Sequence, residues 1–349
     1  MEEKGVTEEG ERRYCVTGST GYIASWLVNS LLHNNCYVHA TVRDPAKALH
    51  LLRLWGVHDR LRIFEADLLE EGSFDEAVKG CIGVFHVAAS MQFSVLEKAN
   101  IDSYVQSKVI DPAIKGTLNV LKSCSKSKSV KKVVFTSSIS TLTAKDTDGN
   151  WKEVVDESCQ TPIDHVWNTK ASGWVYALSK LLTENAAFQC AHDKDFDLVS
   201  VITTTVAGPF LTSTIPSSIQ VLLSPLTSDP EFFPILSAVN SRMGSIAVVH
   251  IEDVCNAHIF LMEHSKAQGR YICCTQSCEL SDLFHRLAKV YPCPNVQRLM
   301  AKDLRPAPSK ISSKKMKDLG FSYKFDLQDT IHQTVTHCVD HGFLQPFGK

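Results

Sequence analysis

"VTGSTGYIAS", residues 16–25, decides the fold. It closes a short apolar run, "RYCVTG" (13–18), and opens "YIASWLVNSLLHNN" (22–35), whose apolar residues recur with helical period. Gly18 and Gly21, with Ala24 in the third small position, give the spacing G-x-x-G-x-x-A between a strand and a helix. Gly18 lets the chain turn sharply off the strand, and Gly21 lets a pyrophosphate approach the backbone. Ala24 lets the helix pack closely on the sheet, and the helix N-terminus offers unbonded N–H groups to phosphates. The pattern predicts a dinucleotide site, because it sits in the strand–turn–helix context that such a site requires.

Outward from this stretch, strand and helix alternate. "YVHATVR" reads as a strand, "PAKALHLLRLW" as a helix, "LRIFEADL" as a strand and "SFDEAVKG" as a short helix with a serine cap. "IGVFHVAA" is a buried strand, followed by a long helical segment to about residue 128. "KKVVFTSS" and "VSVIT" (199–203) are further strands, with a helix around "GWVYALSK" (173–180) between them. Such alternation predicts an α/β fold, a Rossmann-type doubly wound parallel sheet with helices on both faces. After residue 205 the rhythm changes to a smaller, mostly helical lobe. "SIAVVHIEDVCNAHIFLMEH" reads there as a strand and a capped helix, and "GRYICC" as a late strand that can return to the main sheet. The expected division is a flexible N-terminus (1–11), a dinucleotide-binding domain (12–205) and a substrate lobe (206–349).

The end of the second strand distinguishes the two nicotinamide dinucleotides. "TVRDP" places Arg43 where a forked donor can hold a 2′-phosphate, which predicts NADPH/NADP+, although the adjacent Asp44 would suit NAD. Asp67-Leu68 ends the third strand, where a carboxylate can accept from an adenine amino group. Val87-Ala88-Ala89 ends the fourth, where small residues leave room for the cofactor.

A nicotinamide delivers hydride, so a carbonyl reduction needs a separate proton donor. Tyr176 and Lys180 stand one helical turn apart, and a neighbouring ammonium can lower a phenol toward neutrality. "FTSSIS" (135–140) supplies a hydroxyl for the acceptor oxygen, with Ser138 the candidate and Ser137 beside it as a strand-end cap.

Other features exclude more than they suggest. Of 349 residues, 44% are hydrophobic and 21% charged, and the net charge of −2 gives no electrostatic reason to expect nucleic acid or an anionic membrane. No apolar run is long enough to span a bilayer. The polar, acidic start "MEEKGVTEEGERR" is unlike a secretory signal, which leads us to expect a cytoplasmic protein, monomeric or weakly dimeric, with its twelve cysteines reduced. His337 and His341 share a helix face in "HCVDH" but lack a third ligand, so no metal site is expected. The lysines of "SKSKSVKK" (125–132) suit a helix C-terminus.

Taken together, "TGSTGYIA", the strand ending "TSS" and "YALSK" resemble the extended short-chain dehydrogenase/reductase family. "ATVRDPAK", "ADLLEEGSFDEAVKGCIGVFHVAA", "VDES", "AGPFLTSTIPSS", "HIEDVCNAHIF" and "GRYICC" resemble its plant dihydroflavonol 4-reductase and anthocyanidin reductase branch, over residues 12 to 345. The resemblance implies catalytic roles for Ser138, Tyr176 and Lys180. It implies cofactor contacts at Gly18, Thr20, Gly21, Tyr22, Ile23, Arg43, Asp67, Leu68, Val87, Ala88 and Ala89. Tyr176, Lys180, Thr203, Val206 and Ser218 would add to these near the nicotinamide. Met91, Gln92, Phe93, Thr143, Trp174 and Ile215 are candidates to line the substrate pocket. Three positions depart from the branch's dihydroflavonol reductases: Thr143 for an asparagine, Ala247 for a glutamine and Thr203 for a proline. An insertion lies around "KANIDSYVQSK" (98–108). A site that loses two hydroxyl-binding side chains is not expected to prefer dihydroflavonols. The expected activity is NADPH-dependent reduction of a ketone or conjugated carbonyl on a bulky aromatic or alicyclic metabolite. The alternatives are a non-catalytic NADP(H)-binding regulator and a sterol-dehydrogenase or epimerase-like enzyme on the same scaffold.

Overall fold

The computed structural model describes residues 12–54, 57–89, 100–146, 148–300 and 309–345. Seven strands form the main sheet: β1 (Arg13–Val16), β2 (Tyr37–Val42), β3 (Leu61–Glu65), β4 (Gly83–His86), β5 (Lys132–Ser138), β7 (Asp197–Thr203) and β10 (Gly269–Cys273). Their order is β10-β7-β5-β4-β1-β2-β3, and every neighbouring pair is parallel. The chain runs outward one way from β1 and the other way from β4, so a crevice opens between their carboxyl ends, where ligands of doubly wound sheets bind.

Burial on both faces explains why the strands read as apolar runs. Tyr14, Val16, Phe85, Val134 and Val199 face one core with the helices Tyr22–His33 and Ile251–Glu263. The alternate residues Cys15, Val84, Val133, Phe135 and Leu198 face another with the helix Asp111–Lys126. Gly116 of that helix meets the strand-end loop closely: a Cβ there would stand 2.8 Å from the Leu68 Cβ. Asn119 of the same helix donates to the Leu68 carbonyl at 2.8 Å.

The later chain builds a smaller layer around a third core, which includes Phe210, Leu222, Phe284 and Ile331. Its three-stranded sheet pairs β9 (Ile246–His250) with β8 (Thr205–Ala207) and β11 (Gln276–Cys278). β6 (Val154–Val155) pairs with β12 (Lys310–Ile311). The late strand β10 does return to the main sheet, beside β7. The helix after β9 is capped by the His250 ring, which accepts from Glu252 N at 3.2 Å.

Two local expectations change. "PAKALHLLRLW" forms the 3-10 turns Pro45–Ala48 and Leu51–Arg53 instead of one helix. Asp44 starts the first turn by accepting from Ala46 N at 3.0 Å. Ser73 does not cap the Asp75–Val78 helix; its hydroxyl accepts from Asp67 N at 2.8 Å and so holds the end of β3. The chain is helical from Ile101 to Lys126, with a wider π turn at Gln106–Ile110. Pro112 follows that turn and has no N–H to close an α-helical bond.

Candidate active site

The sheet's carboxyl end opens on a cavity of about 1440 Å³. That is room for a dinucleotide and a second small molecule. Its walls gather Gly18, Thr20, Gly21, Tyr22 and Ile23 from the glycine turn, with Arg43, Asp67, Leu68, Val87, Ala88 and Ala89 from the next strand ends. Ser138, Tyr176 and Lys180 join them, as do Thr203, Val206, Ile215 and Ser218.

The glycine turn has the shape its sequence requires. Gly18 sits at φ +67°, and a Cβ there would lie 2.9 Å from the Ala88 Cα. Both constraints exclude a side chain. Gly21 is the N-cap of the Tyr22–His33 helix and gives it no side-chain capping bond. The helix N-terminus therefore keeps N–H groups for a phosphate, and the small residues around it fit a dinucleotide.

Thr17, which the sequence reading passed over, ties the turn to the end of β4. Its hydroxyl accepts from Val87 N (3.1 Å) and Ala88 N (3.0 Å). Its own proton is then available to His86 Nδ1 at 3.0 Å, which assigns the ring proton to Nε2, toward the Thr117 hydroxyl at 3.3 Å. Burial, with the Lys180 charge adding, holds His86 neutral and pushes it down to about 3.

At the end of β2 the two charges separate. The Asp44 carboxylate is engaged with its own 3-10 turn and lies 3.9 Å from Lys47. Arg43 is exposed at the cavity wall, and Lys47 and His50 line the same stretch. Lys47 is a second cation that the sequence reading did not single out. It becomes legible only once the 3-10 turn folds it back.

Across the cavity, Gly173 at φ +80° starts the Trp174–Ala191 helix, which carries Tyr176 and Lys180. Tyr176 and Ser138 line the same cavity. Burial pushes the Tyr176 phenol up, opposed by hydrogen bonding with the Ser138 hydroxyl, whereas the sequence suggested a downward shift by Lys180. The ammonium of Lys180 instead donates to the Thr136 carbonyl at 2.9 Å and lies over the Phe135 ring. Burial pushes Lys180 down to about 8, with Glu184 opposing. Thr136 is held in turn by His258, whose Nδ1–H donates to Val254 O (2.7 Å), so that Nε2 accepts from the Thr136 hydroxyl (2.8 Å).

One turn beyond Lys180, buried Glu184 pairs with Arg270 of β10 at 3.0 Å and accepts from Ser200. Arg270 also donates to Glu157 O (2.8 Å) and to the Thr141 hydroxyl (3.1 Å). This network fixes the helix against three distant segments. No local signal in the sequence could have announced it.

The remaining expectations divide. Thr203 lines the cavity, but its hydroxyl is engaged with the Ser137 carbonyl of β5 at 3.1 Å. The Ser218 hydroxyl likewise bonds Val206 O at 2.8 Å. Thr143 and Trp174 do not line the cavity. The Thr143 hydroxyl accepts from Lys145 N (3.2 Å), and Trp174 packs on Trp167 with Lys170 above it. Ser140 takes the wall position instead, its hydroxyl buried without a partner. Met91, Gln92 and Phe93 lie outside the described residues.

All twelve cysteines are free, and most are buried. His337 and His341 stack at 4.0 Å, and no group of metal-binding side chains forms among the described residues. No helix among the described residues is long and apolar enough to cross a membrane.

Comparison with known proteins identifies the family. The NAD dependent epimerase/dehydratase family model matches residues 14–274. A putative anthocyanidin reductase of Ginkgo biloba is 45% identical over 335 residues, covering 95% of each chain. A dihydroflavonol 4-reductase of Arabidopsis thaliana is 39% identical over 334 residues, covering 95% of this chain and 83% of that one. Among solved structures, vestitone reductase from alfalfa superposes with a TM-score of 0.79 at 31% identity, covering 95% of this chain and 99% of the other. The chain is thus a nicotinamide-dependent oxidoreductase of the NAD dependent epimerase/dehydratase (extended short-chain dehydrogenase/reductase) family, on the branch of dihydroflavonol and anthocyanidin reductases.

Proposed function

We propose that the protein is an NADPH-dependent reductase of a carbonyl on a bulky flavonoid-like molecule, with Ser138, Tyr176 and Lys180 as its reacting-centre residues. The observation that carries this reading is the convergence of Ser138 and Tyr176 on one cavity wall, with the buried ammonium of Lys180 one helical turn beyond Tyr176. When bound, the reduced nicotinamide supplies a hydride to the carbonyl carbon. The Ser138 hydroxyl donates to the carbonyl oxygen and holds it beside Tyr176, whose proton that oxygen takes as the C=O bond becomes C–OH. Lys180, pushed down to about 8 by burial, stabilises the resulting phenolate. Arg43 and Lys47 favour the 2′-phosphate, since Asp44 is turned to its own backbone. Names of relatives that include a vestitone reductase and an anthocyanidin reductase support a flavonoid skeleton.

The test is NADPH oxidation with a panel of flavanones, dihydroflavonols, isoflavanones and anthocyanidins. Tyr176→Phe is expected to lower kcat by about 10²- to 10⁴-fold with NADPH affinity unchanged. Wild-type turnover in that variant would remove Tyr176 from its role.

A further inference from the structure

The cavity wall holds two cations that neither the sequence reading nor the mechanism uses: Lys108, which is exposed, and Arg242, which is not. Arg242 stands in the last turn of the Phe232–Met243 helix and lines the cavity. Its side chain is only partly exposed, and its Nε is buried with no hydrogen-bond partner. Among the described residues no carboxylate pairs with it. Burial alone acts on it, and pushes the guanidinium down to about 10. The buried ammonium of the same wall, Lys180, has the Thr136 carbonyl, and Arg270 behind it, whose Nε is likewise unbonded, still pairs with Glu184, Glu157 and Thr141 through its terminal nitrogens.

The backbone shows where this cation sits. The Arg242 carbonyl accepts from Ala144 N at 3.2 Å, which docks the helix end on the segment that follows β5. That segment begins at Ser138 and carries Ser140, whose buried hydroxyl also has no partner and lines the same cavity. Arg43 and Lys47, by contrast, follow β2, separated from β5 by β1 and β4. The two cationic ends of the cavity are thus on opposite sides of the glycine turn, and Arg242 is on the Ser138 side.

Leaving a guanidinium Nε buried without an acceptor is costly unless a ligand supplies one. Resting on the reading above, we infer that Arg242, aided by Ser140, binds an oxyanion on the carbonyl substrate, a carboxylate or an ionised phenol remote from the carbonyl. Arg242 is then a specificity-determining residue. A forked guanidinium matches such an oxyanion with two parallel bonds, and the low-dielectric wall strengthens them.

The test compares ligands of one shape and different charge on the enzyme–NADP+ complex by calorimetry, which needs no turnover. The first pair is para-acetylbenzoate and its methyl ester. The second is a flavanone with an acidic ring hydroxyl and its O-methyl ether, compared below and above the phenol pKa. Wild type is expected to bind at least one anion about 10- to 100-fold tighter than its neutral mate. Arg242→Gln is expected to erase that preference, and Arg242→Lys to keep part of it, with NADP+ affinity unchanged in both. A response confined to the benzoate identifies a carboxylate, and one confined to the hydroxyflavanone at high pH a phenolate. Equal binding of anion and neutral mate by wild type, or no measurable binding of either anion, overturns the inference. So does an equal loss for both mates in Arg242→Gln, or weakened NADP+ binding there. Selective anion binding without reduction of any ketone would instead leave Arg242 in place and remove the reductase reading.

Discussion

The two ends of the cavity are built on different principles. The end formed by Gly18, Arg43, Asp67 and Ala88 comes from consecutive strand ends within the first ninety residues, and its contacts are largely backbone and small side chains. The end formed by Ser138, Tyr176, Thr203, Ser218 and Arg242 draws on five segments spread over a hundred residues. The first end reads one invariant shape, a dinucleotide. The second is held in place by remote side-chain pairs and can change its ligand by exchanging single residues. The contrast predicts that breaking the side-chain pairs that hold the second end costs fold and chemistry together, whereas disturbing the first end changes cofactor choice alone.

The sharpest way to break that contrast is Glu184→Ala. Glu184 is buried, and its loss leaves Arg270 without its carboxylate and Ser200 without its acceptor. Removing one partner of a buried pair costs about 3–5 kcal/mol, and the lower end applies because Arg270 retains Glu157 and Thr141. Denaturant unfolding should show this loss, and the remaining folded protein should have reduced kcat because Lys180 stands one turn away. A stability within experimental error of wild type would show that the network does not hold the helix. Next in size is Arg43→Asp, which removes a phosphate donor and adds a repelling charge. NADPH affinity should fall about 100-fold with NADH affinity unchanged or improved, and Lys47→Ala should give a smaller shift of the same sign. An unchanged preference between the two coenzymes would take Arg43 out of the site.

How legible each end was follows from the same contrast. Gly18, Gly21 and the strand-end residues are local in sequence, so spacing and context disclose them. Tyr176 and Lys180 were legible because one helix carries both. Thr17 was hidden because a threonine after a strand is unremarkable until Val87 and Ala88 donate to it. Arg242 was hidden for the opposite reason: its significance lies in an Nε without a partner among the described residues, which only a folded chain reveals. Thr143 and Trp174 were misplaced because the 3-10 turn after β5 and the start of the tyrosine helix point their side chains into other contacts.

Two of the buried histidines extend the comparison to pH, since His86 lies under the first end and His258 under the second. Burial pushes them down to about 3 and about 4, below the ordinary value near 6.5. A group depressed in the folded state contributes stability that is full above its unfolded pKa and is lost as pH falls toward the folded one. Stability should therefore fall between about pH 6.5 and pH 4, by about 1 kcal/mol for each histidine by pH 5.5. Thermal melts across this window check it. His258→Gln should flatten the slope, and a slope unchanged in that variant would assign the acid lability elsewhere.

Lys180→Met gives the smallest effect and the most informative sign. Lys180 is lowered to about 8 in the fold against an ordinary value near 10.5, so below pH 8 the protein bears the full cost of a desolvated ammonium. That cost shrinks as pH rises from about 8 to 10.5 and vanishes above. Methionine fills the same volume without charge but leaves the Thr136 carbonyl without the Lys180 donor, which offsets part of the gain. The net expectation is a stabilisation of about 1 kcal/mol at pH 7, a rise in Tm of roughly 2 °C, that narrows toward pH 10. Turnover should be largely lost in the same protein. Gain of stability with loss of activity would identify Lys180 as a residue kept for chemistry against the interest of the fold. A variant both inactive and destabilised would instead mark it as a structural donor to Thr136.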